Sequence, residues 1–309
     1  MVNEILKGLS QQPKSISSKF LYDEQGSRIF EKITQMPSYY LYDSEYEILK
    51  EYGSRIWSAL PFESKFSLVE FGAGDGSKTI QLLKQLPHHT YLDEYIPVDI
   101  SEEANKTLAV QVEKMIPHMP VEPIQGNYLE NMKQLIPQDR PILLMYLGSN
   151  IGNFQKDQIR KIIMDFGQNL KKGDALLMGF DLKKNPLTIR QAYDDPDGIT
   201  RSFNLNLLTR FNRELEADFD LDNFDFYSYY HPCSGEVRSY LVSLTDQEVF
   251  FKSSNQSVRF YKDELVHTEI SKKFDFEEME VLLNQSGFMV MDKWTDSNGY
   301  FTDVLAVVK

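Results

Sequence analysis

The segment Phe66-Ser67-Leu68-Val69-Glu70-Phe71 runs directly into Gly72-Ala73-Gly74-Asp75-Gly76-Ser77-Lys78, after which Thr79-Ile80-Gln81-Leu82-Leu83 carries apolar residues at helical spacing. A strand, a glycine-rich turn and a helix in that order aim free backbone N–H groups and the positive end of a helix at a ligand bearing phosphate or carboxylate. Glycine at 72 and 74 permits positive φ and a close ligand approach that a larger side chain would block. The spacing is Gly-x-Gly-x-Gly, not the Gly-x-Gly-x-x-Gly of dinucleotide sites, which disfavours a nicotinamide-dependent oxidoreductase. Asp99 ends the next apolar run, Tyr95-Ile96-Pro97-Val98, where a carboxylate can accept hydrogen bonds from both hydroxyls of a ribose. Together these features predict a nucleoside-ligand site. The alternative is a plain tight turn with Asp99 capping a helix.

From residue 66 onward, short apolar runs alternate with helix-length amphipathic segments, the pattern of a parallel sheet covered by helices on both faces. After the strands at 66–71 and 95–99, further strands are predicted at Val121 to Ile124, Ile142 to Leu147 and Ala175 to Phe180. Between 184 and 273 the rhythm changes to aromatic, alternating stretches such as Phe226-Tyr227-Ser228-Tyr229-Tyr230 and Val237 to Val242, which suit antiparallel strands. A helix from Phe276 to Ser286 then precedes Gly287 to Met291 and Phe301 to Val308, a terminal antiparallel pair turning at Asn298-Gly299. With neither repeat nor low-complexity linker, the middle reads as an insertion into one α/β domain.

Lysine plus arginine number 33 against 46 for aspartate plus glutamate, a net charge of −13, which argues against a nucleic-acid partner. A single cysteine, Cys233, allows no intrachain disulfide and no cysteine-rich zinc site, and it reads as structural, since free cysteine is most often buried and inert. Histidines 88, 89, 118, 231 and 267 have no H-x-x-x-H spacing, so no metal is expected. The amino-terminal stretch lacks a signal-peptide apolar core, and the most apolar run, Pro141 to Leu147, is too short to span a bilayer. The expectation is a cytoplasmic protein with no membrane contact and no obligate protein partner.

The Glu70-to-Gly74 turn, Asp99 and the terminal pair resemble the S-adenosylmethionine-dependent methyltransferases of Rossmann-like fold. More specific blocks are Tyr22-Asp23-Glu24-Gln25-Gly26-Ser27 with Phe30 to Thr34 and Pro37-Ser38-Tyr39-Tyr40, then Leu147-Gly148-Ser149-Asn150-Ile151-Gly152-Asn153, Ala192-Tyr193-Asp194-Asp195 and His267-Thr268-Glu269-Ile270-Ser271. In this order and over nearly the whole chain, they resemble the histidine Nα-methyltransferase family, which makes the trimethylated betaine hercynine on the route to ergothioneine. The resemblance implies an α/β fold with a Rossmann-like methyltransferase sheet and terminal antiparallel strand pair, plus a second α+β domain from the amino-terminal segment and the middle insertion. It assigns 45–183 and 274–309 to S-adenosylmethionine binding, and 1–44 and 184–273 to the amino-acid substrate.

On the cofactor side the resemblance implies Gly72, Gly74, Lys78, Asp99, Asn127 and Tyr128, with Lys78 near the methionyl carboxylate and Tyr128 stacking on adenine; Asn127 stands where the family usually has an acid. On the substrate side it implies Gly148 as a binding residue, Tyr39, Asn153 and Tyr193 around the α-carboxylate and α-amine, Tyr22 beside the amine being methylated, and Glu269 with Ser271 at the imidazole. Tyr22 and Asn153 are the catalytic candidates. Val237 replaces a methionine usual in the family and enlarges the side-chain pocket, and Tyr40-Leu41-Tyr42-Asp43 replaces a stretch that commonly ends in threonine-arginine. The expected reaction is Nα-trimethylation of L-histidine. Its rivals are the same chemistry on tryptophan or tyrosine, and a nucleoside-binding module that senses a metabolite without catalysis.

Overall fold

The computed structural model describes residues 1–87 and 91–309. Along the chain it forms α1 (Val2–Leu9), β1 (Lys14–Ser15), α2 (Glu24–Thr34), α3 (Tyr40–Ala59), β2 (Phe66–Phe71), α4 (Ser77–Leu83), β3 (Leu92–Asp99), α5 (Glu102–Met115), β4 (Ile124–Gln125), α6 (Tyr128–Leu135), β5 (Ile142–Tyr146), α7 (Lys156–Asn169) and β6 (Ala175–Asp181). It continues through α8 (Pro186–Tyr193), α9 (Ile199–Leu215), β7 (Phe224–His231), β8 (Glu236–Ser243), β9 (Gln247–Phe251), β10 (Gln256–Phe260), β11 (Leu265–Lys272), α10 (Phe276–Gln285), β12 (Phe288–Thr295) and β13 (Phe301–Val308). Two compact units result, Met1–Tyr40 with Lys184–Lys272, and Leu41–Lys183 with Lys273–Lys309. Residues 41–44 thus fall in the unit opposite to the one expected, because α3 is one uninterrupted helix whose Ile48, Leu49, Ile56 and Trp57 are buried with the larger unit's strands. Lys273 joins the same unit through a fully buried ion pair with Asp181 at 2.6 Å.

Among the described residues the larger unit's sheet has the order β12-β13-β6-β5-β2-β3-β4. Strands β4, β3, β2, β5 and β6 are parallel, whereas β13 runs antiparallel to β6, and β12 to β13. This is the Rossmann-like sheet with a terminal antiparallel pair. Every residue of β2 is buried, because successive side chains enter cores on opposite faces: Leu68 packs on one side, Val69 and Phe71 on the other. Chain order reverses at β2, with β3 on one side and β5 on the other, so the carboxyl ends of β2 and β5 flank the crevice where open α/β sheets bind ligands.

Two strand ends differ from the sequence reading. The run expected at Val121 to Ile124 is reduced to β4 at Ile124–Gln125, with Val121 forming an isolated bridge to Tyr95. Pro123 has no N–H to donate to a ladder, which explains the break. β12 extends to Thr295 instead of ending near Met291, because its pairing with β13 resumes after an irregularity between Val290 and Asp292.

The smaller unit contains a sheet of order β1-β11-β8-β7 and a β9–β10 hairpin. Burial alternates strictly along β8, as its alternating sequence predicts, and the buried face packs with α1, α2 and α9 around Phe20, Phe203, Phe211, Phe224 and Leu241. Cys233 is not buried: it is exposed in the turn between β7 and β8, where a hairpin tip has no core to enter. Among the described residues no helix is long and apolar enough to cross a membrane.

The turn after β2 also carries a stability prediction. Gly76 caps α4 at φ +68°, and a Cβ there would stand 1.9 Å from Cδ1 of the fully buried Leu108. Gly76→Ala should therefore cost about 1–3 kcal/mol in urea unfolding, from the disfavoured conformation plus overpacking. A loss below about 0.5 kcal/mol would contradict this packing.

Candidate functional site

The glycine turn adopts the conformation that its sequence requires. Gly72 and Gly74 lie at φ 73° and 56°, and the Gly72 N–H donates to the Val98 carbonyl at 2.8 Å, tying the turn to the end of β3. Asp99 joins the same arrangement: Oδ2 accepts from the Gly74 N–H at 3.0 Å and Oδ1 from the Ser101 N–H at 2.9 Å. Each oxygen retains acceptor capacity for a ligand hydroxyl. Asn127 caps α6, its Oδ1 accepting from the Leu129 N–H at 3.1 Å and its Nδ2 donating to Glu130 at 2.8 Å. Tyr128 commits one ring face to the core, stacked on Phe71 at 5.0 Å and 9°, and shares a hydroxyl hydrogen bond with Tyr146 at 2.8 Å. Burial pushes its phenol up to about 12.

The loop after β5 supplies the other wall of the crevice. Gly148 and Ser149 both have positive φ, 76° and 53°. Ser149 is held there because its Oγ accepts the Asp181 N–H at 2.9 Å. A single 3-10 turn, Asn150–Asn153, follows and leaves Asn153 half-buried. The Gly148 N–H donates to both carboxylate oxygens of Glu45, at 2.8 and 2.9 Å, and Glu45 also forms an ion pair with Lys78 at the start of α4. Lys78 is therefore committed to a carboxylate of its own chain. The Tyr42 hydroxyl donates to Ser77 at 2.8 Å, so the departure at 40–43 reaches the glycine turn. Glu45 was not singled out by sequence reasoning, since a contact spanning 103 residues has no local pattern to announce it.

In the smaller unit the remaining candidates gather into one group. The Tyr22 ring meets Phe30 and Phe203 edge-on, each at 5.4 Å; Phe30 meets Tyr39 at 6.2 Å, and Tyr39 meets Tyr193 at 6.3 Å. The Tyr193 hydroxyl shares a hydrogen bond with that of Ser271 at 2.9 Å. Burial first, then the charge of Glu269 and the neighbouring Tyr39 and Tyr193, raise the Tyr22 phenol well above its ordinary range. Tyr22 thus stays protonated at neutral pH, a hydrogen-bonding hydroxyl and not a phenolate. Glu269 and Ser271 lie on β11, which pairs with β8 along its length but with β1 only at Val266 and His267. Both residues therefore sit just past the end of β1. Val237, 2% exposed, is the register partner of Ser271 on β8. Phe30 and Phe203, the hydrophobic walls of this group, were not identified from sequence as site residues; their spacing is that of ordinary core positions.

Thus Gly72, Gly74, Lys78, Asp99, Asn127, Tyr128, Gly148 and Asn153 belong to the larger unit, and Tyr22, Tyr39, Tyr193, Val237, Glu269 and Ser271 to the smaller. No cluster of three or more histidine, cysteine, aspartate or glutamate side chains fit to hold a metal occurs among the described residues. His88 and His89 lie outside the described residues.

Residues 1–308 match a family described as "Histidine-specific methyltransferase, SAM-dependent". The chain is 32% identical over 298 residues to a histidine N-alpha-methyltransferase of Mycobacterium tuberculosis, covering 96% of this chain and 92% of that protein. It is 33% identical to the protein of the same name from Mycolicibacterium smegmatis, over 98% and 94% of the two chains. It is also 30% identical to ergothioneine biosynthesis protein 1 of Schizosaccharomyces pombe, matching 90% of this chain but 37% of that longer protein.

Glu70, the penultimate residue of β2, gives this unit a characteristic pH dependence. Its carboxylate accepts from Thr79 Oγ1 at 2.7 and 2.8 Å and from the Tyr95 hydroxyl, yet burial outweighs these bonds and raises it from 4.5 to about 7. A raised acid binds its proton more tightly in the folded state, so its stabilisation is complete below the unfolded value and is lost as pH rises through about 7. Glu70→Gln should remove up to about 3 kcal/mol of the stability lost between pH 5 and pH 8, measured by urea unfolding. Equal pH slopes in the two proteins would show that Glu70 does not titrate there.

Proposed function

The chain belongs to the histidine-specific, S-adenosylmethionine-dependent methyltransferases, and from that premise we propose that it methylates the α-amine of L-histidine three times, yielding hercynine. The observation that carries the substrate reading is the group of hydroxyls, Tyr22, Tyr39, Tyr193 and Ser271, gathered with the Glu269 carboxylate. The turn after β2 fits the methyl donor: glycines at positive φ, Asp99 half-buried at the end of β3, and a helix starting at Ser77. We assign Gly72, Gly74, Asp99, Asn127 and Tyr128 to holding it, with Lys78 acting through its bond to Glu45. Bound S-adenosylmethionine supplies an electrophilic methyl carbon on a sulfonium.

The residues of the smaller unit have a geometric task. Methylation needs the amine uncharged, with its lone pair aimed at the donor and water excluded. A protonated Tyr22 orients such an amine by hydrogen bonding without taking its proton as a phenolate would. Aromatic faces at Tyr22, Tyr39 and Phe30 can hold the growing ammonium by cation–π attraction as methyl groups accumulate. Tyr193 and Ser271, already joined, form a hydroxyl pair toward the substrate. Glu269 selects the side chain by accepting an imidazole N–H.

A second reading, the same chemistry on tryptophan, phenylalanine or tyrosine, draws on Val237, whose small side chain opposite Ser271 leaves volume for a larger ring. One apolar size change is worth only about 1–3 kcal/mol of discrimination, whereas a charge-assisted bond to Glu269 is worth about 1.5–3 kcal/mol on its own and costs more when mismatched. Histidine should therefore be the preferred substrate of the wild type in competition kinetics, and Glu269→Ala should move the preference toward tryptophan or phenylalanine. Wild-type preference for tryptophan or tyrosine would mean that pocket volume, not the carboxylate, sets the substrate. On the donor side, Asp99→Ala should weaken S-adenosylmethionine binding at least about tenfold in calorimetric titration, because charge-assisted bonds are lost. Unchanged affinity would remove Asp99 from the site.

A further inference from the structure

Behind the loop that follows β5 lies a buried ionic group of which the chemistry above uses only Lys78 and its bond to Glu45. Its members are Glu45 on α3, Lys78 on α4 and Asp303 on β13, with Glu70 on β2 close enough to bear on Lys78. Glu45 and Asp303 are both fully buried. Both carboxyl groups lie over the same backbone atom: a Cβ on Gly179 would meet Glu45 Oε1 at 2.3 Å and Asp303 Oδ1 at 3.1 Å. Lys78 supplies one positive charge to this pair of acids. Among the described residues no separate donor reaches either oxygen of Asp303. Two carboxylates this close cannot both ionise in a low-dielectric site, so one carries a proton, and burial followed by the charge of Glu45 places it on Asp303.

The group joins the two loops of the crevice. Glu45 takes the Gly148 N–H on the loop after β5 and the Lys78 ammonium on the helix after the glycine turn. The same contacts pack Lys78 and Asn150 against the glycines: a Cβ on Gly148 would meet Lys78 Nζ at 3.3 Å, and one on Gly72 would meet Asn150 Nδ2 at 3.2 Å. We infer that Glu45 is a positioning residue for the methyl donor: packed beside the buried Asp303, it locks Lys78 and Gly148 together and so fixes the two loops between which the donor binds. This rests on the reading that S-adenosylmethionine occupies the turn after β2.

The test uses calorimetric binding of S-adenosylhomocysteine to the full chain, well below each variant's Tm, so that binding is separated from turnover. Glu45→Gln keeps the volume and an acceptor for Gly148 but cannot balance Lys78; it should weaken binding at least tenfold. In a Lys78→Met background the same substitution should cost less than threefold, a non-additivity that a purely structural role would not produce. Asp303→Asn replaces the shared proton with an amide donor and should stay within threefold of wild type. Asp303→Leu, which provides no proton, should lose tenfold. Additive effects of Glu45 and Lys78, full binding by Glu45→Gln, loss in Asp303→Asn or retention in Asp303→Leu would each overturn the inference. If Glu45→Gln does not fold, the two Asp303 variants decide. Failure of the wild type to bind S-adenosylhomocysteine would instead refute the donor site itself.

Discussion

Three alternate residues after β2, Gly72, Gly74 and Gly76, hold φ at 73°, 56° and 68°, a backbone path that residues with a Cβ avoid. That path lets the strand reverse into α4 within a few residues, brings the Gly74 N–H onto Asp99, and presents Lys78 to Glu45. Replacing the path with an ordinary turn would move the start of α4 and dismantle the end of β3 with it. The crevice of the larger unit is thus organised by backbone conformation first, and by side chains second.

The aromatic and hydroxyl group of the smaller unit is organised in the opposite way. None of Tyr22, Tyr39 and Tyr193 has a positive φ; the group exists because Tyr22 and Tyr39, in the segments either side of α2, meet Phe30 of α2 edge-on, and Tyr193 of α8 joins Tyr39 to Ser271 of β11. Burial there has a chemical consequence. A phenol kept neutral beside Glu269 is suited to orient an amine and unsuited to accept its proton permanently, which matches a displacement that needs alignment more than a strong base.

How much of this was legible beforehand follows from the range of each interaction. β5 and β6 appear in the sequence because strands buried on both faces are mainly apolar along their length, the runs Tyr95 to Val98 and Val304 to Val308 do the same for parts of β3 and β13, and the alternation of β8 is equally local. The short β4 was misread because apolar residues around Pro123 suggest a strand that the missing N–H prevents. Cys233 was misread because composition speaks of average burial, while the hairpin tip on which it sits is a tertiary outcome. The residue-level resemblance named Tyr22, Tyr193, Ser271 and Glu269, which the fold brings into one group. Glu45 and Asp303 escaped, since charged residues on a helix and a strand read as solvated until partners over a hundred residues away bury them.

The proposed reaction methylates one amino acid, histidine, three times at its α-nitrogen at the expense of S-adenosylmethionine. Incubating the wild-type protein with S-adenosylmethionine and each of the standard amino acids, with fragmentation mass spectrometry of the products, tests it most directly. The account predicts a histidine product heavier by three methyl groups, all on the α-nitrogen, with three S-adenosylhomocysteines released for each product. Methyl groups on the imidazole, a different amino acid as the main product, or no turnover with any of them would contradict it.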